Sequence, residues 1–152
     1  MAAASFVGTK LAKAILNGSA PNLLSDTLKC MAVVAGSAIP DTTKSGVEFV
    51  SDVTSANAEV TGTGYARQTL ASKTWAFDGS GTRLVDFGFA NITFSQNAAG
   101  PTNIRYFVIY KDTGSDATSQ VLFVFDPNST LSMVTGDIVL SAPAGGALQA
   151  QT

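Results

Sequence analysis

Two stretches constrain the fold more than anything else in the chain. Ile104-Arg105-Tyr106-Phe107-Val108-Ile109-Tyr110 and Val121-Leu122-Phe123-Val124-Phe125 are almost unbroken runs of β-branched and aromatic residues. A strand with one face in water alternates apolar and polar side chains, so runs of this kind belong to strands covered on both faces. They mark the centre of the fold. From Glu59 onward, shorter segments rich in Val, Ile, Thr and aromatics are separated by Gly, Pro, Asn and Asp, the punctuation of an all-β chain. Residues 69–77 and 82–87 flank Asp78-Gly79-Ser80-Gly81, a hairpin signal. Residues 89–95 alternate, with Ala90, Ile92 and Phe94 on one face and Phe89, Asn91, Thr93 and Ser95 on the other. Residues 130–134 and 137–141 read as closing strands around Thr135-Gly136.

Residues 5–17 predict the single helix. Phe6, Val7, Leu11, Ala14, Ile15 and Leu16 fall near helical spacing, Ser5 stands where a cap belongs, and Gly18 offers a stop. After Pro21, residues 27–36 read as a strand, residues 37–43 with Pro40 break it, and residues 47–53 fit either a short strand or an irregular arm. The fold class is mainly β: an antiparallel β-sandwich or barrel with one N-terminal α-helix. Its expected divisions are a helix or arm over 1–20, a β-domain over 21–142 and a small, charge-poor, flexible tail over 143–152. Cys30, the one cysteine, lies among Leu28, Met31, Ala32 and Val33 and reads as a packed thiol.

Charge excludes several functions. Nine Lys and Arg against 11 Asp and Glu give a net charge of -2, so no basic field gathers phosphates or anionic lipid. Neither nucleic acid nor membrane is an expected partner. The absence of His removes the usual general base and the commonest transition-metal ligand. The N-terminal residues lack the pattern of a secretory signal and no apolar run approaches the ~18 residues of a membrane span, so the expected site of synthesis is a cytoplasm. Charged residues make up only 13% of the chain, where about 25% is usual. A deficit of that size suits a surface that meets other protein.

The sharpest motif is Asp112-Thr113-Gly114-Ser115 after an apolar run, which resembles the aspartic-protease signature, a carboxylate that shares a proton with its twin across a dimer. Lys111 stands where that family carries an apolar residue, and no second part of the pattern follows. Turn formation explains the motif. Asp112 and Asp116 are candidate calcium ligands without a recognisable loop pattern. A glycosidase needs two carboxylates facing each other about 5–10 Å apart. The only glutamates, Glu48 and Glu59, lie in the least regular region, and the aspartates fall mostly at turns. Gly62-Thr63-Gly64-Tyr65 and Gly79-Ser80-Gly81-Thr82 lack the lysine and helix start of a phosphate loop. The chain is thus expected to be no enzyme and to carry no cofactor, metal or catalytic residue.

The order of four pieces is similar to that in small virion structural proteins of tailed bacteriophages, of the capsid cement or decoration kind. They are Lys13-Ala14-Ile15-Leu16-Asn17-Gly18, Asp26-Thr27-Leu28-Lys29, Glu59-Val60-Thr61-Gly62-Thr63-Gly64-Tyr65 and Tyr110-Lys111-Asp112-Thr113-Gly114. The resemblance runs to about Asp126. It implies a non-catalytic component of the virion, head or tail. The first expectation is a protein of the capsid surface that binds the major capsid protein and copies of itself, a trimer being one arrangement. Phe6, Leu11, Ile15 and Leu16 are the expected interface residues, the sheet holding Tyr106, Val108, Leu122 and Val124 being scaffold. On that expectation, removing residues 1–18 leaves a folded β-domain. The alternative is a tail or head-fibre protein that presents loops 96–103 and 112–120 to a receptor or glycan.

Overall fold

The computed structural model describes residues 4–7, 9–36, 47–54, 59–77, 84–142 and 148–151. In chain order these form β1 (Ala4–Val7), α1 (Thr9–Leu16), β2 (Leu28–Val34), α2 (Val50–Thr54), β3 (Gln68–Thr69), β4 (Thr74–Phe77), β5 (Leu84–Gly88), β6 (Ile92–Phe94), β7 (Ile104–Lys111), β8 (Val121–Asp126), β9 (Ile138–Leu140) and β10 (Leu148–Gln151). All strand pairings are antiparallel. The largest sheet has the order β1-β8-β7-β2-β3, so the two apolar runs lie at its centre as β7 and β8. None of the described helices is long and apolar enough to cross a membrane.

Both faces of the central strands are covered. In β2, Leu28, Cys30 and Ala32 enter one core while Met31 and Val33 enter another, the alternation a pleated strand imposes. Against the first face pack the small sheets β10-β5-β4 and β6-β9. Aromatic pairs join the layers: Phe87 to Phe123 at 6.0 Å between ring centroids, Phe94 to Phe107 at 5.8 Å and Phe89 to Phe125 at 6.4 Å. The second face is closed by α2, whose Val50 and Val53 bury beside Tyr106, Val108, Tyr110 and Val124. The protein is therefore a mainly β, antiparallel sandwich with a short N-terminal helix.

Two bulges decide which side chains face which core. Ile109 pairs with Phe123 but Tyr110 with Val121, which leaves Leu122 as an extra residue. The slip turns Leu122 to the same core as Phe123 and Phe125, and Val121 to the same core as Val124. A second slip leaves Arg105 out of register between Ile104 and Tyr106. Its guanidinium then reaches Asp126 and Asn128.

Several expectations need correction. The helix expected over 5–17 is β1 followed by α1, because Ala4 to Val7 pair residue by residue with Asp126 to Phe123 and close the β8 edge. Phe6 and Val7 are good strand formers, and a window that short fits either period. The stretch 69–77 is two strands, interrupted near Ser72, whose φ of 47° no strand accommodates. Around 130–134 there is no strand, only a bridge from Leu131 to Ile104. The tail expected to be flexible contributes β10, which pairs with β5 from Leu148↔Phe87 to Gln151↔Leu84. In 47–53, Phe49 bridges to Gln120 and α2 follows, its start capped by Asp52, which accepts the backbone N–H groups of Glu48 and Phe49. The expected hairpin is present as the β4–β5 pair, while its turn signal at 78–81 lies outside the described residues. Cys30 is buried as expected, and burial pushes its thiol far up.

Candidate functional site

Helix α1 divides its side chains among three environments. Leu11, 1% exposed, and Ala14 are buried, and Leu11 joins the chain's own core. Lys10 and Lys13 reach Glu48 at 3.3 and 3.5 Å, and the Lys10 ammonium sits 3.8 Å from the centroid of the Phe49 ring. Ile15 and Leu16 point outward, 49% and 89% exposed. Gly18 ends the helix with a φ of 73°, and Ser19 donates its N–H to the Ala14 carbonyl, the arrangement expected of a glycine stop. Of the four residues expected at an interface, Ile15 and Leu16 are available to a partner and Leu11 is not. The reason is geometric: Leu11 lies on the helix face that anchors α1, while Leu16 lies across from it. Phe6 pairs through its backbone with Val124, and its side chain falls outside the described ones.

The remaining charge is arranged in internal pairs. Arg67 donates to Glu59 at 2.6 and 2.8 Å and to Asp116 at 2.6 and 2.9 Å, with a further bond to the Tyr110 hydroxyl. Glu59 also accepts the Tyr65 hydroxyl, which itself accepts the Ala32 N–H. These two carboxylates hold the Arg67 guanidinium far above its ordinary value. Lys29 pairs with Asp112, Lys111 with Asp26 and Arg105 with Asp126. Lys73 donates to the Asp26 carbonyl. Every Lys and Arg among the described residues thus finds an acceptor within the chain. The described surface has few charges, and those it has are mostly neutralised by a neighbour.

Loop 112–120 is held as a rigid turn. Asp112 accepts from Lys29 at 2.6 Å and from the Gly114 N–H, and the Lys29 ammonium keeps its carboxyl below the ordinary carboxylate range. The Thr113 hydroxyl bonds to those of Thr118 and the buried Ser119. Asp112 and Asp116 are each directed to a different cation, so they do not converge as calcium ligands. Among the described residues no group of three His, Cys, Asp or Glu is placed to hold a metal. Loop 96–103 is equally fixed: Asn97 donates to the Met133 carbonyl, and Asn97 fills the space a side chain on Gly64 would need.

These pairs set the pH dependence of stability. Lys29, Arg67 and Arg105 lower the carboxyls of Asp112, Asp116 and Asp126 in the folded state. As pH falls the unfolded chain therefore takes up protons first, so the stabilisation is complete at neutral pH and lost through the lowered folded values. Urea unfolding from pH 7 downward should show a level midpoint to about pH 4.5 and a steep fall below about pH 4. Asp112→Asn should flatten that fall.

The sequence offered no signal for Arg67 or Gln120, whose partners and surroundings come from segments far along the chain. Compared with known proteins, the chain matches no family model, no curated protein and no solved structure.

Proposed function

We propose that the chain is a non-enzymatic structural component of a tailed-phage virion, a cement or decoration protein that docks on the major capsid protein lattice. The observation that carries this is Leu16. It is an almost fully exposed leucine at the end of a helix that Leu11 and Ala14 anchor rigidly, set on a surface whose described cations are each bonded within the chain. Apolar surface held by a stiff scaffold loses little entropy on docking. A surface with little free charge neither steers toward nucleic acid nor repels copies packed side by side. At about 25 cal/mol per Å² of apolar area, a modest contact repeated across a shell adds to a large total. The resemblance of the four sequence pieces, in their order, to those of virion proteins supports the same reading.

Sedimentation of the purified chain, alone and mixed with empty shells of the major capsid protein from the same virus, tests it. The chain should travel with the shells and saturate at a fixed number of copies per shell. A stable homotrimer that ignores the shells would overturn the proposal and favour a fibre protein.

A further inference from the structure

Asn17-Gly18 is the only Asn-Gly pair in the chain, and it stands directly after α1 with both residues exposed. The Asn17 Oδ1 accepts two hydrogen bonds from Ser19, one from the hydroxyl at 2.5 Å and one from the N–H at 3.2 Å. Two donors on one carboxamide oxygen draw electron density from Cγ, and they are already in place for negative charge that develops on that oxygen. The Gly18 nitrogen is the nearest backbone nucleophile on the C-terminal side. Its N–H makes only a long contact, 3.4 Å, to the Ile15 carbonyl, and nothing lies within 4 Å of where a Cβ on Gly18 would stand. We infer that Asn17 is a self-modifying site, converted to aspartate through a cyclic imide with Gly18, the Ser19 hydroxyl activating its carboxamide.

The reaction needs only the chain and water. Solvent base removes the Gly18 N–H proton, and the nitrogen attacks Asn17 Cγ. The new N–Cγ bond leaves the negative charge on Oδ1, facing Ser19. Collapse of this intermediate breaks the Cγ–Nδ2 bond, and the nitrogen takes a proton from solvent and leaves as ammonia. Water then opens the imide at either carbonyl, giving aspartate or its β-linked isomer. The rotation that brings the Gly18 nitrogen to Cγ is confined to the last turn of α1, beyond the buried Ala14, where opening costs little. Asn22 is a built-in comparison. Its Oδ1 also accepts two N–H groups, from Leu24 and Ser25, but the next residue is the buried Leu23, whose side chain crowds the attacking nitrogen. Conversion sets a carboxylate one residue from Leu16, the most exposed large apolar side chain among the described residues.

The full chain is held folded in mildly alkaline buffer, sampled over weeks, digested, and read by mass spectrometry with fragmentation that separates aspartate from its β-linked isomer. Asn17 should convert before every other asparagine, Asn22 included, and yield both isomers. Ser19→Ala should slow the conversion about two- to tenfold, the factor one hydrogen bond supplies, and Ser19→Thr should restore it. Gly18→Ala should slow it about tenfold or more. Ser19 is exposed, so its variants keep the fold. No conversion at Asn17, earlier conversion at another asparagine, aspartate without the β-linked isomer, or an unchanged rate in Ser19→Ala would overturn the inference. The reaction is followed on the isolated chain, so its failure leaves the shell-sedimentation result standing, and the reverse holds equally.

Discussion

Arg67→Met lowers the unfolding free energy by about 2–3 kcal/mol, the largest loss expected from any single charged residue in the protein. Breaking a fully buried ion pair costs about 3–5 kcal/mol, and the partial exposure of this one reduces the figure. Arg67 is 26% exposed in its side chain and bridges Glu59 and Asp116, so its removal leaves two carboxylates facing each other across the space it occupied. The loss is thus a missing attraction plus a new repulsion. Arg67→Lys should lose most of the same stability, because one ammonium cannot donate in two forks. Adding Asp116→Asn to Arg67→Met should recover part of it by removing the repulsion. Urea unfolding of the unaltered chain, these three variants and Asp116→Asn alone checks the series, and additive effects of the paired changes would show that the bridge is not a unit.

Deleting residues 1–18 should abolish the cooperative fold. That segment supplies β1, which covers the edge of β8, and α1, which places Leu11 in the main core. Loss of one buried leucine costs about 2–5 kcal/mol against a total stability of about 5–15 kcal/mol, before the β1 ladder is counted. The truncated chain should lose its thermal transition and expose β8 to edge-to-edge association. A truncated protein that melts cooperatively near the full chain's midpoint would contradict the placement of β1 and Leu11. The placement of β1 and Leu11 argues against treating the segment as a detachable arm. Interface substitutions must instead be made at Ile15 and Leu16, which carry no core contact of that kind.

How much of this was legible in the sequence follows from the range of each interaction. The doubly covered centre is readable because six of the seven residues from Ile104 to Tyr110 show the pattern. The two faces within it are not, since the Leu122 and Arg105 bulges shift the alternation inside runs that are apolar apart from Arg105. β1 was hidden because four residues hold too little period to separate strand from helix, and its choice is made by the open edge of β8. β10 carries only Leu148 as a large apolar residue, so nothing local marks it. The helix stop at Gly18 was legible since capping is local. The α1 anchor at Leu11 and the Glu48 pairing were not, because each needs segments tens of residues away.

The proposed role turns on Ile15 and Leu16 as a docking surface on a protein whose described cations are bonded within the chain. The direct measurement is co-sedimentation of Ile15→Asp/Leu16→Asp with empty shells, beside the unaltered chain. The double variant should keep its thermal midpoint and bind shells about a hundredfold more weakly, the effect of denying two aliphatic side chains their burial. Shell binding equal to that of the unaltered chain, with the fold intact, would contradict it.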